Sequence, residues 1–155
     1  MQKLLLLVLG LAILLGAFFG LNSYIYEEKQ AAVGTTPQDA EYLIDGKRVQ
    51  LKDGVAETEA APGSASKTVT RYFGNDVSYD LNNDGREDSV FLLTQETGGS
   101  GTFFYVVAAL NTERGFVGSQ ALLLGDRIAP QTKEISRNPN HDRVIDVNYA
   151  VRKPG

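Results

Sequence analysis

Every position from Leu4 to Leu21 is Leu, Ile, Val, Phe, Ala or Gly, and none is charged. A run of that length meets the requirement for a helix that spans a bilayer. Tyr24, Ile25 and Tyr26 extend it with residues that favour the membrane interface. Beyond this run, no amphipathic helical period of apolar residues is sustained, and short strand-like runs take over. Residues 27–40 are polar and small, with Pro37 and a Gly34-Thr35-Thr36 cluster, and read as a tether. In Tyr42–Leu51, an Asp45-Gly46 pair between two apolar stretches predicts a β-hairpin, and Lys52-Asp53-Gly54 predicts a second turn. Glu57 to Lys67, rich in Ala, Glu, Ser, Pro and Gly, reads as a linker.

From Thr68 onward the pattern stays β. Val69–Phe73 and Val77–Tyr79 are short strands, and Ser89–Gln95 and Thr102–Leu110 are continuous apolar ones. In the last of these, Phe103, Tyr105 and Val107 face one way, and Phe104, Val106 and Ala108 face the other. A strand apolar on both faces is expected to be central and covered on both sides. Phe116–Leu124 and Lys133–Ser136 continue the series, and Val144–Tyr149 alternates as a half-buried strand does. The expected class is mainly β: a small antiparallel sandwich or meander preceded by one transmembrane helix. The expected organisation is an anchor at 1–26, a tether at 27–40, a hairpin and linker at 41–67, and a β domain at 68–155.

Charge order sets the expected topology. Lys3 and the α-amino group precede the apolar run and Glu27 and Glu28 follow it, which keeps the N-terminus cytoplasmic and exports the rest. An uncleaved signal anchor is favoured over a cleaved signal peptide, because no small-x-small site closes the run. With no cysteine, neither a lipoprotein anchor nor a disulfide is available. A pilin-like leader would carry a Glu inside the run. The formal charge of the whole chain is -4, and without the +1 of Lys3 residues 27–155 carry -5. A mildly acidic exported part argues against nucleic acid or anionic lipid as the main partner. The membrane, through residues 4–26, and an envelope protein or glycan are the expected partners.

The chemistry-bearing motif is Asp80-Leu81-Asn82-Asn83-Asp84-Gly85-Arg86-Glu87-Asp88. Oxygen-bearing side chains stand at loop positions 1, 3, 5 and 9, with Gly at 6, the spacing that folds a short loop around a hard divalent cation. Asp80, Asn82, Asp84 and Asp88 would offer side-chain oxygens and Arg86 its backbone carbonyl, so the Arg86 side chain is expected to be no obstacle. The cation expected is Ca2+, which takes 6–8 oxygens, with Asp76, Asp126 or water completing the five from the loop. An EF-hand is excluded, because position 12 is Phe91 and a strand follows. The competing reading is an Asp/Asn/Gly turn that binds nothing.

This pattern, running into an apolar strand, resembles the calcium loops of FG-GAP/VCBS-type β-repeats, and the resemblance implies a structural metal. It covers one hairpin, and no second copy occurs. Over residues 40–155 the combination of Arg71–Asn75, Asp80–Asp88, Gly98–Leu110, Leu124–Pro130 and Asn148–Ala150 resembles an uncharacterised group of small exported bacterial proteins. Some members carry a further C-terminal envelope domain. The chain ends at Gly155, soon after its last strand, so that resemblance leaves open a partner domain beyond it. It implies no activity.

Other candidates read as structural. Gly98-Gly99-Ser100-Gly101-Thr102 lacks the helix of a phosphate loop and the second Gly of a nucleophile elbow, so it is expected to be a hairpin turn. His141, the only histidine, lies in a turn signature. Asp126-Arg127 is expected to be an ion pair closing the sheet or capping a groove. The function expected is a membrane-anchored extracytoplasmic β domain with a structural calcium loop, acting in binding or envelope organisation. An envelope hydrolase with unidentified catalytic residues is the alternative.

Overall fold

A computed structural model of the chain describes residues 33–138, 140 and 143–151. The expected anchor, residues 27–32 of the expected tether, and His141 lie outside the described residues. The described part is mainly β and antiparallel, in one compact unit. Its strands are β1 (Glu41–Ile44), β2 (Lys47–Gln50), β3 (Val55–Glu59), β4 (Lys67–Tyr79), β5 (Asp88–Glu96) and β6 (Phe103–Thr112). They continue with β7 (Gly115–Gly118), β8 (Leu122–Asp126), β9 (Ala129–Ile135) and β10 (Ile145–Ala150).

Strands β3 to β7 form a meander in chain order, with β8 pairing the start of β6 where β7 pairs its end. As its composition requires, β5 is central and buried on both faces. Phe91 and Leu93 point inward with Tyr105 and Val107, while Val90 and Leu92 point outward with Val106 and Ala108. On the inner face, Phe91 meets the ring of Tyr42 edge-on at 5.6 Å and that of Tyr72 at 4.9 Å. On the outer face, Phe73 meets Phe104 edge-on at 5.4 Å. The β9–β10 hairpin lies beside β4 on this outer side, and its Lys133 Nζ donates to the Asn75 carbonyl.

The β1–β2 hairpin caps the inner face. Asp45 (φ 49) and Gly46 (φ 78) both adopt positive φ, the turn whose twist matches antiparallel strands. Tyr42, Ile44, Val49 and Leu51 fill the core against β5 and β6. The hairpin is joined to both edges of the meander, by hydrogen bonds at one and by the chain itself at the other. On one edge, Leu43 N–H donates to the Ser119 carbonyl (3.2 Å) and Ala121 N–H to that of Leu43 (2.8 Å). On the other, the chain itself passes from β2 into β3 through a turn in which Lys52 and Val55 exchange two backbone hydrogen bonds (2.9 and 3.1 Å). The result is a small barrel-like enclosure around an apolar interior. Gly118 permits the close approach of β1: a Cβ there would lie 2.2 Å from the Glu41 carbonyl oxygen and 2.6 Å from the Tyr42 ring.

Three expectations are corrected. The described end of the tether is folded: Gly34 and Phe116 exchange two backbone hydrogen bonds (2.9 and 2.8 Å), Ala40 is fully buried, and Tyr42 Oη donates to the Pro37 carbonyl at 2.6 Å. Small residues there serve close backbone contact as well as flexibility. The linker contains β3, whose Ala56 is buried and which pairs with β4, so 41–67 and 68–155 are not separate domains. The stretch Phe116–Leu124 is broken at Ser119–Ala121, where β1 takes the backbone bonds that a continuous strand would have used.

Candidate functional site

The Asp80–Asp88 loop joins β4 to β5 at one end of the barrel. Asn83 (φ 62) and Gly85 (φ 84) take the left-handed conformation, at low cost for Gly and tolerable for Asn. The side chains then fold inward onto successive N–H groups. Asp80 accepts from Asp84 N–H through Oδ1 (3.1 Å) and from Gly85 N–H through Oδ2 (2.9 Å). Asn82 Oδ1 accepts from Asp84 N–H at 3.1 Å, and Asp84 Oδ1 from Arg86 N–H at 2.9 Å. The sequence spacing therefore produces the nested turn it implied.

Two of the five expected ligands behave differently. Asp88 is 1% exposed, and both its oxygens are bonded: Oδ2 accepts from Leu81 N–H (2.9 Å) and Oδ1 from Asn111 N–H (2.8 Å). It staples the loop to the end of β6. The Arg86 side chain was expected to be no obstacle, yet it folds over the loop. Its Nη2 donates to Asp84 Oδ2 at 2.9 Å and its Nε to the Asn111 carbonyl at 2.8 Å. The guanidinium therefore contends with any cation for Asp84. From the β9–β10 turn, Arg143 Nη2 reaches Asn83 Oδ1 at 2.9 Å. Sequence reasoning missed these anchors, Asn111 and Arg143, because each meets the loop only through the tertiary fold.

The donor set suits calcium chemically, since carboxylate and amide oxygens are hard ligands and each keeps a second lone pair beside its N–H partner. Asp80, Asn82 and Asp84 are the residues that would hold the ion, with Asp88 fixing the loop behind them. Among the described residues, no three Asp, Glu, His or Cys side chains converge as a ready-made cation cage. Neither supplementary acid joins the loop. Asp76 takes hydrogen bonds from Tyr72 Oη and, at 2.8 Å, from Ser89 Oγ, in a bulge of β4 between Phe73 and Val77. Burial, then this carboxylate, pushes the Tyr72 hydroxyl up to about 12. Asp126 sits at the other end of β6, where it accepts from Thr102 N–H (3.0 Å) and pairs with Arg127 (2.9 Å). That pair closes the β6–β8 junction and is partly exposed.

The Arg86 N–H above all, helped by the Asn82 amide and the Arg86 guanidinium, holds the Asp84 carboxyl below its ordinary value, against an opposing effect of burial second in size to that N–H. A carboxyl lowered in the folded state stabilises the fold above its unfolded pKa, about 4, and loses that contribution as pH falls through the lower folded value. The stability gap between the wild type and Asp84→Asn is therefore expected to narrow between about pH 5 and pH 2. Urea midpoints across that range measure it, and a constant gap would contradict the assignment.

Gly98–Thr102 is the β5–β6 turn, with Ser100 exposed. Comparisons with protein-family models, with curated proteins and with solved structures found no match. Among the described residues, no helix is long and apolar enough to cross a membrane, and residues 4–26 lie outside that set.

Proposed function

We propose that this chain is an extracytoplasmic β module held to a membrane by residues 4–26, which binds or organises envelope components and takes a structural calcium ion at Asp80–Asp88. The observation that carries the metal reading is the nested turn, in which Asp80, Asn82 and Asp84 fold their oxygens around one run of backbone with Asn83 and Gly85 at positive φ. The charge-free apolar run, the charges that flank it and the absence of cysteine support export. An extracytoplasmic calcium site of about 10⁻⁴–10⁻³ M still stabilises a domain where calcium is plentiful. The hydrolase alternative gains no observation of its own, since Ser100 lies in an exposed turn.

Calcium at about 10 mM is expected to raise the thermal midpoint of the full chain by about 3–8 °C over chelator. Asp80→Asn and Asp84→Asn should each remove most of that rise. Arg86→Gln should enlarge it, because the competing guanidinium is gone. A midpoint that ignores calcium in the wild type and in Arg86→Gln would refute the metal site.

A further inference from the structure

We propose that the barrel mouth opposite the Asp80–Asp88 loop binds a neutral polyhydroxylated ligand, a saccharide. The proposal rests on the reading of the domain as a binding module and not on the metal.

The interior of the barrel changes character along its length. Around Phe91 it is wholly apolar. Toward the Asp45-Gly46 turn, the same strands place polar side chains around a cavity of about 370 Å³: Thr58 on β3, Thr68 on β4, and Gln95 and Thr97 at the end of β5. Ile44 and Val49 are buried and form its apolar floor. Barrel mouths are recurrent ligand sites, and their usual composition is an apolar floor with a few polar groups.

What marks this mouth is unused hydrogen-bonding capacity. Gln95 spends one amide N–H on the buried Thr70 hydroxyl (3.2 Å), which leaves its carbonyl oxygen and second N–H. Thr58, Thr97 and Lys47 are exposed and Thr68 is half-buried, so their polar atoms face the cavity's solvent and are open to a ligand. Hydroxyls and amides both donate and accept, which matches a ligand bearing many hydroxyls of its own.

The charged residues of the lining are already engaged, apart from Lys47. Arg48 pairs with Glu41 at 2.6 Å, Asp45 accepts from the Tyr105 hydroxyl at 2.8 Å, and Glu59 accepts from Gly63 N–H at 2.9 Å. With Arg48 paired to Glu41, Lys47 stands against Asp45 and Glu59, so the lining carries one net negative charge and does not favour an anion.

The test is an amide NMR titration of the full chain in a zwitterionic, non-glycosidic detergent, with maltotriose and triacetylchitotriose as neutral probes and a hyaluronan tetrasaccharide as the acidic one. At least one neutral probe is expected to give saturable shifts centred on residues 44–49, 58–60, 68 and 95–97. Gln95→Leu and Thr68→Val are each expected to weaken binding about five- to tenfold. The exposed Thr97→Ala weakens it without risk to the fold. The proposal is overturned if neither neutral probe saturates, if Gln95→Leu and Thr97→Ala leave binding unchanged, or if only the acidic probe binds and does so through Lys47. Measuring the calcium-dependent thermal midpoint on the same samples separates the two readings. A rise without sugar binding overturns the mouth alone, and sugar binding with no rise in either the wild type or Arg86→Gln overturns the metal alone.

Discussion

Asp88→Ala is expected to destabilise the domain by about 3–5 kcal/mol, since each hydrogen bond to a charged group contributes about 1.5–3 kcal/mol. The side chain is 1% exposed and its two oxygens serve two different segments, Leu81 in the loop and Asn111 at the end of β6. Truncation removes the acceptor of two partly buried N–H groups, and an unmet donor that water reaches poorly costs more than the bond itself contributes. Asp88→Asn keeps one carbonyl oxygen but turns an NH2 toward the other donor, so about half of that loss is expected. Urea unfolding of both variants measures the difference. A loss under about 1 kcal/mol for the alanine variant would mean that the loop is not stapled through this carboxylate.

Phe91→Ala should be at least as damaging, at about 3–5 kcal/mol. Phe91 is fully buried and stands between Tyr42 on the capping hairpin and Tyr72 on β4, so its ring joins three strands across the inner face. Removing it opens a cavity that Tyr42 cannot fill, because Tyr42 is held by its own bond to the Pro37 carbonyl. Phe73 is the control. It also contacts an aromatic ring, but it is 41% exposed, and Phe73→Ala is expected to cost about 1 kcal/mol or less. Equal losses at the two positions would place the centre of the core elsewhere. For a domain with total stability of about 5–15 kcal/mol, the Phe91 variant is expected to be largely unfolded at elevated temperature.

The comparison of Phe91 with Phe73 also shows what the sequence makes visible. β5 and β6 were legible because strands covered on both faces need apolar residues at every position, which leaves a dense signal. The Asp45-Gly46 turn was legible because few residue pairs tolerate two positive φ values in succession. β3 was not. Its Val55, Ala56, Glu57, Thr58 and Glu59 bury only Ala56 fully, and an edge strand with one small buried side chain is compositionally close to a linker. Residues 33–40 were obscured in the same way, because Gly34 and Ala40 are chosen for close backbone approach, which composition alone does not separate from flexibility.

In the candidate loop, the backbone path was legible and the electrostatics were not. Asp80, Asn82, Asp84 and Gly85 build the turn from neighbours within five residues, so spacing carries the information. The fate of the Arg86 guanidinium depends on the Asn111 carbonyl, and that of Asn83 on Arg143, both supplied by distant strands. The mouth was missed for a related reason. Thr58 reads as linker, and Thr68 and Gln95 as ordinary strand residues, until the pairing registers bring them around one cavity.

The contact of Leu43 with Ser119 and Ala121 has a consequence for how the chain is made. The N-terminal hairpin is synthesised early, but the backbone that completes its pairing emerges only after β7. Until then, Tyr42, Ile44, Val49 and Leu51 have only part of their final cover, and the β1 edge is unpaired. A two-stranded hairpin is marginal alone in water, and pairings of long sequence separation form slowly. The order of emergence therefore exposes an apolar face and an open edge for as long as β4 to β8 take to follow. This is the interval in which the nascent domain is most open to self-association or to capture by a chaperone.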